Sequence, residues 1–148
     1  MARNLSGTDR YLIREVNGPK WAAALEVLQA EVFPDDAPVE ATDGWWWLVF
    51  HRGAVVGFGH MRKPPRDTNL GYMARAGVLP KHTGRGLQRR LIKARLKKAM
   101  ELGFTRVVCT TYENVPSMVN LIKEGFLPYT PGEPWAYSGT VYWMKKLD

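Results

Sequence analysis

The segment from Gly77 to Leu102 sets the strongest limits on the fold of this chain. A strand-like run ends at Pro80, a short loop with Gly84 and Gly86 follows, and the apolar spacing then becomes helical. Apolar side chains recur in this helix at Leu87, Leu91, Ile92, Leu96, Ala99 and Met100. Glycines in such a loop let the backbone approach a ligand, and the free N–H groups at a helix start attract anions. The segment therefore predicts an anion site between a strand and a long helix.

The remaining sequence alternates between strand and helix patterns. Strands are predicted over residues 11–16, 45–51, 54–62, 70–79, 106–111, 126–129 and 140–146. Helices are predicted after Pro19, over residues 84–102 and over residues 115–123. This order predicts an α/β sandwich on a mixed sheet. Because the 148 residues contain no repeat or linker, we expect a single domain over residues 1–148.

Composition and charge disfavour several classes of protein. The single cysteine, Cys109, cannot form an internal disulfide and has no partner at zinc-ligand spacing, so we expect a reducing compartment and no metal. No apolar run approaches the roughly 20 residues that span a bilayer, and no apolar signal core is evident, which predicts a cytoplasmic protein without a membrane partner. The net charge of +7 indicates an anionic ligand. The basic residues between Arg85 and Lys98 fall largely on the helix face opposite the apolar stripe.

Two familiar phosphate-binding loops do not fit the glycine-containing segment. The P-loop requires a Lys-Ser or Lys-Thr pair after its last glycine, and none follows Gly86. The dinucleotide fingerprint requires a third glycine or alanine where Arg89 stands, near the start of a βαβ unit. Another kind of phosphate-containing ligand is therefore indicated.

The segment resembles the acyl-CoA loop of the GNAT N-acetyltransferase superfamily. In that loop a strand ending Val-x-Pro is followed by Arg or Gln, two residues, Gly, one residue, then Gly or Ala. Val78, Pro80 and Gly86 match this pattern, whereas Thr83 and Gln88 depart from it at the first and last positions. The pyrophosphate contacts of the superfamily are largely main-chain N–H groups, and a changed side chain leaves these in place.

A second segment that resembles the superfamily lies at the expected distance downstream. The superfamily has here an Asn, then a helix, then a closing Gly-Phe pair. In this chain these places hold Asn114, the helix segment that contains Ser117, and Gly125-Phe126. Together the two segments cover residues 70–129, about 40% of the chain. The resemblance implies a GNAT-like three-layer sandwich, with a mixed central sheet of about seven strands and helices on both faces.

The resemblance also implies the acyl donor, acetyl-CoA, and direct attack by an amine in a ternary complex without a covalent enzyme intermediate. The implied cofactor-binding residues are Gly77, Val78, Thr83, Gly84, Arg85, Gly86, Leu87, Gln88, Asn114 and Ser117. For Gly77 two interpretations stay open. It either relieves a strand bulge that exposes main-chain groups to the pantetheine arm, or it is a packing glycine.

The candidate catalytic side chains differ from those that many superfamily members carry. Many superfamily members carry a tyrosine, proposed to protonate the departing CoA thiolate, at the position of Leu121, and some carry a glutamate base at the position of Tyr72. The candidate catalytic residues are Tyr72, Tyr112 and Glu113, with Tyr129 as a reserve acid. Because the usual acid is absent, a catalytically weak or inactive CoA-binding regulatory protein is the alternative function.

The acceptor implied by the resemblance is an amine of a small molecule or peptide. Superfamily members often bind the acceptor near the loop after the first helix, and here that loop is acidic, so a cationic amine is one candidate. Its carboxylates are Glu31, Asp35, Asp36, Glu40 and Asp43. Nucleic acid is not expected as a partner, because no nucleic-acid motif accompanies the basic helix. A homodimer stays open.

Overall fold

The computed structural model describes residues 10–66 and 69–148. The strands are β1 (Tyr11–Val16), β2 (Trp45–His51), β3 (Ala54–Arg62), β4 (Leu70–Val78), β5 (Arg106–Thr111), β6 (Leu127–Tyr129) and β7 (Val141–Lys146). The α-helices are α1 (Ala22–Val32), α2 (Leu87–Glu101) and α3 (Val115–Lys123), with short 3₁₀ turns at Pro19–Trp21 and Pro80–His82. The predicted order of elements is confirmed. Helix α2 begins at Leu87 rather than Gly84, because Gly84 and Gly86 have φ angles of +75° and +74°, which end a right-handed helix.

The strands form one mixed sheet in the order β1-β2-β3-β4-β5-β7-β6. All neighbours pair antiparallel except β4 and β5, which run parallel. That parallel pairing extends only from Leu70 opposite Arg106 to Tyr72 opposite Val108. Beyond this point the two strands part and leave an opening within the sheet.

A bulge distorts β4 just beyond the point of parting. On β3 only His60 lies between Gly59 and Met61, whereas Ala74 and Arg75 lie between their partners on β4. The extra residue bends β4 and leaves His60 without a partner on that strand, although His60 still pairs with Trp46 on β2.

Helices cover both faces of the sheet, so the expected three layers are confirmed. On one face α2 and α3 pack over a core that contains Trp47, Met73, Leu91, Leu121 and Trp143. On the other face α1 packs over a smaller core of Leu25, Leu28, Trp46, Leu48 and Phe58. Trp46 and Trp47 enter opposite cores because successive strand side chains point to opposite faces. No described helix has the length and apolar character needed to cross a bilayer.

The surroundings of Gly77 support the interpretation of this residue as a packing glycine. A Cβ atom there would lie 2.5 Å from Cγ1 of Val32 and 3.1 Å from Phe58. The bulge lies earlier on β4, at Ala74 and Arg75. Gly77 therefore lets α1 approach the sheet closely and does not relieve the bulge.

Candidate functional site

The opening between β4 and β5 forms a cleft of about 510 Å³. Side chains from β4, β5, α2 and α3 line it, together with Phe33, Asp36 and Val39 from the end of α1 and the loop that follows. Because the sheet is interrupted there, the cleft is lined from both of its faces. A ligand in the cleft would contact main-chain atoms as well as side chains.

The start of α2 presents main-chain N–H groups beside the cleft, which Gln88 lines; the other predicted loop residues, Thr83, Gly84, Arg85, Gly86 and Leu87, are not among the lining residues. Gly86 is the N-cap residue of α2, and the first backbone bond of the helix runs from the N–H of Arg90 to the carbonyl of Gly86 at 3.2 Å. The N–H groups of Leu87, Gln88 and Arg89 therefore precede the helix ladder. A Cβ atom at Gly84 or Gly86 would meet nothing within 4 Å, so the space in front of these groups is open. This geometry, with the positive end of the helix dipole, suits a diphosphate.

Side chains of the same loop are mostly engaged within the protein. The hydroxyl of Thr83 donates to the carbonyl of Pro80 at 3.0 Å, and the guanidinium of Arg85 lies over the Tyr11 ring at 5.7 Å. Gln88 lines the cleft, and its Nε2 donates to the carbonyl of Ala76 at 3.4 Å. The departures from the family pattern at Thr83 and Gln88 thus leave the main-chain groups free for a ligand.

The start of α3 forms a second wall of the cleft. The Oδ1 of Asn114 accepts the N–H of Ser117 at 3.1 Å and so caps the helix, and both residues line the cleft. Tyr112 also lines it, is 49% exposed, and packs against the Tyr137 ring at 5.9 Å. Glu113 is exposed, has a φ of +48°, and is not among the lining residues.

Arginine side chains lie beside the cleft on the α1 face of the sheet. Arg75 donates from Nη1 to Oε1 of Gln29 at 3.0 Å, and its Nη2 lies 3.9 Å from a carboxylate oxygen of Asp36. Arg62 lies over the Tyr72 ring at 5.2 Å, and the Tyr72 hydroxyl is 3.4 Å from Oγ1 of Thr110. Among the described lining residues, Asp36 is the sole member of the acidic stretch.

The remaining candidates lie in or near the core. Leu121 lines the cleft and is 3% exposed, so an apolar side chain occupies the position of the family tyrosine. Partial burial raises the pKa of Tyr129, which is not among the lining residues. Val78 and Gly77 contribute to packing and not to the cleft wall. Of the candidate catalytic residues, the structure brings Tyr72 and Tyr112 to the cleft.

Arg75, Arg95 and Cys109 line the cleft but were not predicted as site residues. Arg95 is 3% exposed, so it is an exception to the expectation that the basic residues of α2 lie largely opposite the apolar face. A signal for this existed in the sequence, because Ile92, Arg95 and Ala99 follow helical spacing along one face. Burial raises the pKa of the Cys109 thiol, and the neighbouring Arg95 opposes that shift.

Comparisons with known proteins identify a family and a shared fold. The family model described as acetyltransferase (GNAT) family matches residues 12–126. No curated protein matches the chain in sequence. Among solved structures, IAA acetyltransferase from Bacillus cereus superposes with a TM-score of 0.74 at 14% identity, over 93% of this chain and 100% of that chain.

Two further structures share the fold. YncA from Salmonella typhimurium, solved with its cofactor acetyl-CoA, has a TM-score of 0.71 at 18% identity and covers 93% of this chain and 94% of its own. The ribosomal-protein-S18-alanine N-acetyltransferase from Escherichia coli has a TM-score of 0.71 at 12% identity, with the same two coverages. At these identities the similarity shows the fold alone.

Proposed function

The chain belongs to the acetyltransferase (GNAT) family, and from this premise we propose that it transfers the acetyl group of acetyl-CoA to an amine of a small molecule or peptide. The observation that carries the proposal is the cleft where β4 and β5 part, with free helix N–H groups beside it. The residues present fit coenzyme A, because these N–H groups suit its diphosphate and the unpaired edge of β4 suits an extended arm.

The donor supplies a thioester, whose carbonyl carbon is open to attack. The protein holds that group in the cleft and brings the amine nitrogen toward it from the α1 face, near Tyr72, Arg75 and Asp36. As the C–N bond forms and the C–S bond breaks, the thiolate leaves with the electron pair and the nitrogen loses a proton. The Tyr72 and Tyr112 hydroxyls are the candidate proton carriers that reach the cleft.

Positioning can supply most of the rate enhancement in such a site. Holding two reactants in line is worth roughly 7–11 kcal/mol, whereas general acid or base help contributes about 10²- to 10⁴-fold. A thiol with a pKa of about 8.5 leaves tolerably well near neutral pH without a proton donor. Leu121 in place of the family tyrosine is therefore compatible with transfer.

The alternative is a protein that binds coenzyme A without transferring its acetyl group. Leu121 favours it, since this buried side chain offers no proton to the leaving group. The same assay separates the two functions. Release of free CoA thiol with any member of a panel of amines, amino acids, polyamines and peptides supports transfer, whereas binding without release across the panel supports the alternative.

The loop assignment is tested by paired substitutions at the two ends of α2. Gly86 and Gly103 both have positive φ and open space around the missing Cβ, so Gly86→Gln and Gly103→Gln carry similar strain. At 100 times its dissociation constant, acetyl-CoA stabilises the folded protein by about 2.7 kcal/mol, which raises the melting temperature of a domain of this size by roughly 5–11 °C. We expect this shift in the wild type and in Gly103→Gln, and its loss in Gly86→Gln. A flat melting temperature in the wild type at millimolar acetyl-CoA would refute the function.

A further inference from the structure

Arg95 is a buried cation in the wall of the cleft. Its Nε donates to the carbonyl of Leu91 at 3.1 Å and its Nη1 donates to the carbonyl of His60 at 3.2 Å. Both acceptors are neutral, and no carboxylate of the described residues forms an ion pair with it. Buried charges in proteins are normally paired with an opposite charge. An anion that enters the cleft would supply the missing partner.

The fold makes room for this guanidinium. A Cβ atom on Gly59 would lie 3.5 Å from Nε of Arg95 and 3.2 Å from Leu91, so glycine leaves space for the side chain. The bulge leaves His60 without a partner on β4, and the carbonyl of His60 accepts from Nη1 of Arg95. Burial lowers the pKa of Arg95 to about 10, so the group stays protonated at neutral pH.

Of the α2 residues that line the cleft, Arg95 lies farthest from the helix start. Gln88, Ile92 and Arg95 line it at positions i, i+4 and i+7 of α2, which form one stripe along the helix. At 1.5 Å per residue, Arg95 lies about 12 Å along the axis from the helix start. Cys109, the first residue of β5 after its pairing with β4 ends at Val108, lines the same cleft. The stripe therefore runs from the loop to the place where the strands part.

We propose that Arg95 binds a carboxylate at the far end of the acyl group, so that the protein prefers acyl-CoA donors such as succinyl-CoA or malonyl-CoA to acetyl-CoA. This inference rests on the proposed function, because it requires the cleft to bind an acyl-CoA donor, and it replaces acetyl with a carboxylate-bearing acyl group as the preferred one. With the diphosphate at the helix start, the end of the acyl group is the part of the donor that reaches deepest. A guanidinium and a carboxylate form charge-assisted hydrogen bonds of matching geometry.

The donor is a better source of this carboxylate than the acceptor. Arg95 belongs to α2, whereas Asp36 and Arg75, which flank the amine in the proposed reaction, lie on the opposite face of the sheet with α1. The acyl carboxylate is unchanged during transfer. The amine nitrogen bonds to the thioester carbon, the C–S bond breaks, the thiolate keeps the electron pair, and the amine proton passes to solvent.

The test is a calorimetric titration of the protein with succinyl-CoA, malonyl-CoA, acetyl-CoA and free CoA in the absence of any acceptor. In the wild type we expect a carboxylate-bearing donor to bind at least about tenfold more tightly than acetyl-CoA. In Arg95→Gln that ratio should fall to about one or below. Lys97→Gln removes the same charge from an exposed position of the same helix and should keep the wild-type ratio.

Each ratio is measured within one protein, so a general loss of stability does not imitate the result. If Arg95→Gln does not fold, Arg95→Lys is used, and a partial fall in the ratio is expected because the bidentate contact is lost. Equal affinities of the wild type for all three acyl donors would overturn the inference, as would an unchanged ratio in the variant. So would a loss of kcat/KM in Arg95→Gln that is confined to acceptors bearing a carboxylate. Failure of the wild type to bind even free CoA would instead refute the proposed function.

Discussion

Gln29 ties the loop after α1 to the sheet, and its replacement by leucine should loosen that loop. The side chain is 2% exposed. Its Oε1 accepts the N–H of Val39 at 2.8 Å and Nη1 of Arg75 at 3.0 Å, and its Nε2 donates to the carbonyl of Val39 at 3.2 Å. Leucine has a similar size but makes none of these bonds. The loop that contributes Asp36 and Val39 to the cleft would lose its anchor.

The size of the effect follows from the three bonds that are lost. Each is worth about 0.5–1.5 kcal/mol net, and a buried group left without a partner costs more, so Gln29→Leu should destabilise by about 2–4 kcal/mol. For a chain of this length that corresponds to a fall in melting temperature of roughly 4–16 °C. Urea unfolding should show a lower midpoint with an unchanged slope.

An exposed position on the same helix provides the control. Glu26→Leu should change the free energy of unfolding by no more than about 0.5 kcal/mol, because Glu26 is exposed. If Gln29→Leu also stayed within that range, the hydrogen bonds of Gln29 would not hold the loop, and the argument for its role at the cleft would be wrong.

Three further predictions concern the core, the pH dependence and the acceptor. The buried indole N–H of Trp143 donates to the Thr111 hydroxyl at 2.9 Å, and Thr111→Val leaves it without an acceptor. The free energy of unfolding measured in urea should fall by about 1–3 kcal/mol, and an unchanged midpoint would contradict this. Burial lowers the pKa of His60 in the folded state, so the unfolded chain binds the imidazole proton more readily. The free energy of unfolding should therefore fall as the pH drops below about 6.5 towards the lower pKa of the folded state. His60→Gln should flatten that fall between pH 7.5 and 5.5, and a parallel curve would exclude His60 as its source. If the acceptor is cationic, Asp36→Asn should raise its KM about two- to fivefold without a matching change for a neutral amine, and equal changes for both would remove Asp36 from acceptor binding.

The secondary structure could be predicted closely because its signals are local. An alternating pattern marked β1, strand-like runs marked β2 and β3, and the helical spacing after Gly86 marked α2. Predicted ends differ from the observed ones by at most a few residues, mainly where glycine geometry decides the boundary. Local patterns also indicated Gln88 and the start of α3, and the structure brings Gln88, Asn114 and Ser117 to one cleft.

Features that depend on pairing between distant segments could not be predicted. The bulge at Ala74 and Arg75 exists only relative to the register of β3, and nothing in the local sequence of β4 marks it. The role of Gly77 depends on the approach of Val32, 45 positions away in the chain. Arg95 differs, since its place on the apolar face of α2 was readable, but its burial required a matching gap at Gly59.

The acidic stretch shows the same limit for the candidate site. The negative charge of the stretch was evident from the sequence, but the positions of its partners were not. Asp36 lies near Arg75, and Asp43 lies 4.0 Å from Arg62 and 3.7 Å from His60. Docking of a cationic amine there stays a prediction. Glu113 follows Tyr112 directly, yet its left-handed backbone conformation carries it away from the cleft that Tyr112 lines.

The short parallel pairing of β4 with β5 also bears on the order of substrate binding. Three residue pairs join the two halves of the sheet, and past them each facing edge has main-chain groups that an extended ligand can bridge. The pantetheine arm would then act as an interposed strand, and its arrival should slow amide hydrogen exchange along both edges. The amine would meet a completed wall only once the donor is in place, which favours ordered addition with the donor first.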